Sequence, residues 1–253
     1  MSFFKKTTKP EIIAVLCVYN EALNIGHCLD HLENYVDQII ILDDGSTDNT
    51  LSIAKSHPKV TKTIKNKHKT KWDERKNRER ILKKAFRSST TSNPWALCID
   101  ADERFETKFL KNLRVIVEKY SDYDNVFAVH FRELWDDPSH YRSDGIWNEK
   151  KKALLFKLQK KMTFNYQQEH HIPWYYQELA GKECPLDYNL YHLKMIKTKD
   201  RHERAALYNK LDPNKEMQPF GYDYLTDTKN LKLTKISKQH SYDQSTVPKY
   251  YNN

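Results

Sequence analysis

Two carboxylates two positions apart, Asp100 and Asp102, close an apolar run at residues 95–99. Side chains at i and i+2 at a strand end point to the same side. Two hard oxygen ligands placed so suit Mg²⁺ or Mn²⁺, which keep coordination positions open for phosphate oxygens. A second acidic pair, Asp43-Asp44, closes the apolar run 36–42 and precedes Gly45-Ser46-Thr47-Asp48. A glycine turn and a helix cap account for one acid at such a place, not for two ahead of the glycine. A carboxylate there can accept a base N–H or ribose hydroxyls. A third polar cluster, Tyr19-Asn20-Glu21, follows the apolar run 12–18.

These clusters need elements that bring them to one place. The runs 12–18, 36–42, 60–64, 95–99 and 126–131 are predicted strands, the first two and 95–99 buried on both faces. Between them lie predicted helices over 22–33, from about 47 to 56, over 73–87 and over 106–120, the last with Phe109, Leu110, Leu113, Ile116 and Val117 on one face. Strands alternating with helices imply an α/β fold with a mainly parallel central sheet. Ligands of such sheets bind beyond the carboxyl ends of the strands, where all three clusters fall. The alternation fades after residue 131. There the sequence predicts strand-like pieces at 152–158, 162–166 and 188–193, a helix over 199–210, and from about 229 a polar tail of peripheral or mobile character.

Composition narrows the chemistry. The 253 residues carry a net charge of +9, so the natural partners are anionic: phosphates, nucleotides, nucleic acid or an acidic membrane face. The five glycines, at positions 26, 45, 145, 181 and 221, never cluster. That excludes a P-loop and a dinucleotide fingerprint, which need adjacent glycines to cradle phosphate, and leaves a cation as the neutralising element. The four cysteines form no CxxC pair, which argues against zinc and for reduced thiols in the cytoplasm. No stretch approaches the ~18 apolar residues of a membrane span. Peripheral contact with an anionic membrane is compatible with the charge.

The segments "LCVYNEALNI", "ILDDGSTDNT" and "WALCIDADERF", in this order, resemble the inverting family-two glycosyltransferases of GT-A fold over about residues 11–131. The resemblance implies one GT-A domain over 1–228, with a nucleotide-sugar half (11–131) and an acceptor half (132–228) ahead of the tail 229–253. It implies that Val18, Tyr19, Asn20, Glu21, Asp43 and Asp44 hold the nucleoside. Asp100, Ala101 and Asp102 match the DxD motif that holds Mn²⁺ or Mg²⁺ and, through it, the diphosphate of a sugar donor, UDP-linked by expectation. Glu103 extends the motif to the DADE form of bacterial lipopolysaccharide-type sugar transferases. The basic stretch 72–78, which otherwise reads as solvated, stands where such enzymes often carry an Arg-Asn pair; Arg75 or Arg78 is the candidate to meet the diphosphate or ribose, and Asn77 to hold the turn.

Inversion by direct displacement needs a general base on the acceptor hydroxyl. The second half holds no Glu-Asp pair of the kind many relatives use. Glu133, Asp136, Asp137, Asp144, Glu169 and Asp187 are the candidates, with Glu169 and Asp144 competing for the role. His171 or His192 is a candidate to complete the metal shell. Trp135, Trp147, Trp174, Tyr175 and Tyr176 offer faces for sugar rings, or simply core area. The acceptor, whether glycan, lipid-linked or protein, is not encoded in any motif. Two other readings fit the acids and the charge: a two-metal nucleic-acid-processing enzyme, against which stands the lack of any zinc-finger or RNA-binding signature, and a non-catalytic protein that binds nucleotide-sugar or membrane.

Overall fold

The computed structural model describes residues 9–66, 73–167, 172–216 and 218–252. The first hundred residues form β1 (Glu11–Val18), α1 (Ile25–Leu32), β2 (Gln38–Asp43), α2 (Thr50–Ser56), β3 (Val60–Lys65), α3 (Glu74–Ser88) and β4 (Pro94–Cys98). Then come β5 (Glu103–Phe105), α4 (Thr107–Lys119), β6 (Val126–Glu133), β7 (His140–Arg142), β8 (Lys151–Lys157), β9 (Glu183–His192), α5 (Thr198–Leu211) and β10 (Leu233–Lys235). The chain divides into two compact units, one comprising Met1–Ala101, Leu110–Ala128 and Ala153–Leu186, the other Asp102–Phe109, Val129–Lys152 and Asp187–Asn253.

In the first unit the strands run β3-β2-β1-β4, all parallel, as the alternation with helices predicts. The register sets Val18 opposite Asp43 and Val15 opposite Cys98. β8 then joins β4 antiparallel, Trp95 opposite Lys157, so the sheet is mixed beyond its parallel core. β1, β2 and β4 are the apolar runs of the sequence, and nearly every residue in them is buried. Parallel strands covered on both sides require that composition. α3 packs on β1 and β2 through Ile81, Leu82 and Ala85 and leaves most of its Lys and Arg outward. α4 buries Leu110, Leu113, Ile116 and Val117 at helical spacing.

The loops after β1 and β2 are stitched together. Asn20 takes a left-handed conformation (φ +54°), rare outside glycine and tolerated by Asn, and Gly45 supplies φ +86° after β2. Asn20 N–H donates to Ser46 Oγ at 2.9 Å and Thr47 N–H donates back to Asn20 Oδ1 at 2.8 Å. Glu21 N–H donates to Thr50 Oγ1 at 2.7 Å and Ala22 N–H to Asp48 Oδ2 at 3.1 Å. Asp48 Oδ1 also accepts from the Thr50 N–H and hydroxyl.

In the second unit β5 pairs antiparallel with β9, Glu103 opposite His192, and β7 pairs with β10. The last residues depart from the expected peripheral tail. Tyr242, Val247 and Tyr251 are buried with Leu134, Tyr191, Leu193 and Ile196. The fully buried Arg104 donates from Nε and Nη2 to Thr246 O at 3.0 and 2.9 Å, and Tyr191 Oη donates to His240 O at 2.7 Å. The three apolar residues follow neither a period of 2 nor of 3.6, so no pattern announces them. Residues 162–166 form no strand, because the Thr163 N–H and hydroxyl turn to the Glu178 carboxylate and its carbonyl accepts from Gln177 N–H. Among the described residues no helix is long and apolar enough to cross a membrane.

Two outcomes follow from these contacts. Tyr251→Ala is expected to cost about 3 kcal/mol, the scale of emptying a buried aromatic site, read as a lower denaturant midpoint; an unchanged midpoint would make the C-terminal segment peripheral after all. Asp48 titrates with folding: burial opposes its charge, but the Thr50 hydroxyl and the Thr50 and Ala22 N–H groups outweigh that and hold its carboxyl below the usual range. A depressed native pKa contributes stability above the unfolded value of about 3.9 and loses it as pH falls through the native one. The melting temperature of Asp48→Asn is therefore expected below wild type at pH 7, with the gap closing below about pH 4. A gap independent of pH would contradict this assignment.

Candidate active site

In the first unit the carboxyl ends of β1, β2 and β4 carry Asn20-Glu21, Asp43-Asp44 and Asp100, each on the loop that leaves its strand. Parallel register puts them along one edge, and Asp44 N–H donates to Val18 O at 2.8 Å across it. Asp43 is fully buried and Asp44 nearly so. One oxygen of each is engaged: Asp43 Oδ1 by Ser46 N–H, Asp44 Oδ1 by Asn66 Nδ2 at 2.6 Å. The other, Oδ2 in both, is buried without a hydrogen-bond partner among the described residues. Buried acceptors left in that state are costly, and a ligand N–H or hydroxyl would satisfy them.

Asn66 is a residue that sequence reading missed. It bridges Asp44 to Asn77, whose Oδ1 accepts from Asn66 Nδ2 at 3.0 Å, and it accepts from Arg80. Asn77 thus orients the partner of Asp44. Arg75 Nε is buried without a hydrogen-bond partner among the described residues, and its Nη2 lies 3.8 Å from Asp73. Arg78 is spoken for, paired with Glu74, bound to Ile172 O and stacked 4.7 Å over Trp174. Asn66 sits in a Lys-rich run that gives no signal of this role.

The boundary between the units falls inside the DxD motif, between Ala101 and Asp102. In the second unit Asp102 is nine-tenths buried, and its Oδ2 stands 3.2 Å from His192 Nε2. The opposite ring nitrogen, Nδ1, lies 2.5 Å from Glu133 Oε2. β5, β6 and β9 supply the three residues: Asp102 leads into β5, its carbonyl accepts from Leu193 N–H at 2.8 Å, and Leu134 N–H donates to His192 O at 3.1 Å. Burial opposes charge on all three groups, and their mutual attraction overrides it. It raises the His192 pKa to about 9, chiefly through Glu133 and then Asp102. It lowers Glu133 to about 2 through His192 and Lys150. Asp102 is held well below the usual carboxylate range by His192, Lys194 and Arg204. These shifts favour the protonated His192 ring between two carboxylates. Arg204 Nη1 also lies 3.2 Å from His192 Nε2. A ring nitrogen cannot donate to Asp102 and accept from Arg204 at once, so these two contacts are alternatives.

The donor set fits a hard divalent cation. Adjacent ligands of an octahedral ion at about 2.1–2.2 Å stand about 3.0 Å apart, close to the Asp102–His192 separation of 3.2 Å. Displacing the Nε2 proton turns the imidazolium into a ligand. Among the described residues, Asp30, Glu33 and His57 are the group that brings three candidate ligand atoms within 4.8 Å, whereas the Asp102–His192 site rests on a pair. There His57 Nδ1 accepts from Lys59 N–H at 3.3 Å, and Nε2 lies 3.6 Å from Asp30 and 3.5 Å from Glu33.

Asp144, the one described candidate of the two competing bases, has its carboxylate against Arg142 Nε and Nη2 at 2.9 Å and also accepts from Lys232 N–H. Burial opposes its charge, but Arg142 and that N–H hold the carboxyl below its usual range. Glu169 and His171 lie outside the described residues. Asp136 pairs with Arg201, and Asp137 with Ser139 and His140. Trp135, Trp147, Trp174, Tyr175 and Tyr176 are all buried. Arg142 and Arg201 lie 4.7 and 4.1 Å over the Trp135 ring, and Lys150 4.0 Å over Trp147.

Known proteins resemble this chain in part. The lipopolysaccharide core biosynthesis glycosyltransferase LpsC of Rhizobium meliloti is 33% identical over 99 residues, 39% of this chain and 33% of that protein. Glycosyltransferase SunS of Bacillus subtilis is 26% identical over 194 residues, 75% of this chain and 41% of that protein. The matched stretches thus span about a third to two fifths of these relatives' lengths. Among solved structures, glucosyl-3-phosphoglycerate synthase from Mycobacterium tuberculosis, in complex with Mg²⁺ and uridine diphosphate, is 19% identical with a TM-score of 0.35, covering 49% of this chain and 43% of that one. The pattern of one family covers residues 13–174, more than half of the chain and every strand of its parallel core: the chain belongs to glycosyl transferase family 2.

Proposed function

We propose that this chain is a metal-dependent, inverting glycosyltransferase that moves a sugar from a nucleoside-diphosphate sugar, UDP-linked, to a glycan, lipid-linked or protein acceptor. Within the family, one observation carries the reading: Asp102 Oδ2 set 3.2 Å from His192 Nε2 in a buried site. Such a pair is a seat for Mn²⁺ or Mg²⁺. When bound, the cation offsets the charge that develops on the leaving diphosphate.

The remaining roles fall to the chain's own groups. Asp43 Oδ2 and Asp44 Oδ2 accept from the nucleobase and ribose, with Asn66 and Asn77 fixing Asp44. Val18, Tyr19, Asn20 and Glu21 form the adjoining wall, whose backbone is fixed by Ser46, Thr47 and Thr50. Arg75 offers its Nε–H to phosphate. The acceptor hydroxyl attacks the anomeric carbon while a carboxylate takes its proton and the nucleoside diphosphate departs with the bonding pair. Asp144 can take that proton by giving up Arg142; Glu169 is the competing candidate for the role. The charge of +9 suits a phosphate-bearing lipid acceptor at an anionic membrane face, and four cysteines with no CxxC spacing suit the cytoplasm.

Thermal melting with UDP in Mn²⁺ or EDTA tests the proposal. At a hundredfold excess over Kd, ligand is expected to add about 2.7 kcal/mol of stability, in Mn²⁺ only. Asp102→Ala is expected to melt below wild type without ligand, as loss of one partner of a buried charge pair dictates, yet to keep its fold by circular dichroism, to lose the Mn²⁺-dependent shift and to lose turnover of the UDP-sugar. A shift of equal size in EDTA, or full turnover by Asp102→Ala, would overturn the metal assignment.

A further inference from the structure

We infer that Glu133 is a positioning residue for the cation seat, acting through His192; this rests on the metal reading above. Glu133 ends β6 and His192 ends β9, fifty-nine residues apart in sequence. Both are more than nine-tenths buried, and their side chains meet at Glu133 Oε2 and His192 Nδ1. An imidazole that offers a lone pair at Nε2 must carry its proton at Nδ1. The Glu133 carboxylate is the acceptor that holds the proton there and sets the plane of the ring. Nε2 is then directed at Asp102 Oδ2 on the far side. A carboxylate behind a metal-bound histidine is the arrangement by which proteins fix a ring's tautomer and raise its basicity as a ligand.

Glu133 is itself fixed. Lys150 Nζ lies 3.4 Å from its Oε1, and the same ammonium sits 4.0 Å over the Trp147 ring. Trp147 packs edge-on against the fully buried Trp135. Leu134, the next residue of the chain, donates its N–H to His192 O at 3.1 Å, which keeps the end of β6 level with the ring. The line Lys150–Glu133–His192–Asp102 therefore joins the aromatic cluster of the second unit to the final carboxylate of the DxD motif.

The test is Mn²⁺ affinity of the full chain, read from the electron paramagnetic resonance signal of free Mn²⁺, with folding checked by circular dichroism. Wild type is expected to bind and His192→Ala to bind more weakly. Glu133→Gln, which keeps shape and removes charge, is expected to weaken binding about tenfold or more. In the His192→Ala background the same change is expected to have less than about a twofold effect, because the pair acts as a unit. Unchanged affinity in Glu133→Gln, or an equal loss with and without His192, would overturn the positioning role. Should Glu133→Gln not fold, Glu133→Asp carries the test: its shorter reach is expected to weaken Mn²⁺ binding, and undiminished affinity overturns the role. Wild type that binds no Mn²⁺ overturns the metal reading and this inference together, whereas binding with a silent Glu133 overturns this inference alone.

Discussion

Parallel pairing of β1 with β2 and β4 is the constraint on which the first unit depends. It fixes the direction of every strand, so that the loops after β1, β2 and β4 leave from the same edge. Because the strands are covered on both faces, their interiors must be apolar, and chemistry is confined to their ends. The register that sets Val18 opposite Asp43 also brings the backbone of one loop against the side chains of the next. The hydroxyls and carboxylate of Ser46, Thr47, Asp48 and Thr50 thus serve as fasteners, and Asp43 and Asp44 keep an oxygen each for something else.

The second unit meets a different demand. Two carboxylates and an imidazole share a buried site, and removing them from water is expensive unless charges and hydrogen bonds match. An imidazolium between Asp102 and Glu133 meets that demand without an ion, and a divalent cation at Nε2 meets it with one. Arg204 Nη1 lies 3.2 Å from the same nitrogen and adds a positive charge beside the two carboxylates.

The α/β class and the strand-end acids are legible in the sequence because burial on two faces writes itself as an unbroken apolar run. Helix α4 is legible from Leu110, Leu113, Ile116 and Val117 for the same reason, at helical spacing. Asn66, by contrast, is a polar residue in a Lys-rich stretch, and its bond to Asp44 exists only once β3 lies beside β2. Glu133 stands among the candidate acids of the second half with nothing local to single it out; its partner His192 is brought to it by β6 and β9. Tyr242, Val247 and Tyr251 follow no period, so their burial is decided by the surface they meet rather than by their own segment. Local pattern carries the elements, and pairing across long sequence separations carries the rest.

The central claim is that the Asp102–His192 pair seats the cation of a sugar-nucleotide site. Anomalous diffraction at the manganese edge, from crystals of the full chain grown with Mn²⁺ and UDP, tests it most directly. The expected result is a peak about 2.2 Å from both Asp102 Oδ2 and His192 Nε2. A manganese ion bound elsewhere, with His192 still paired to Asp102, would contradict it.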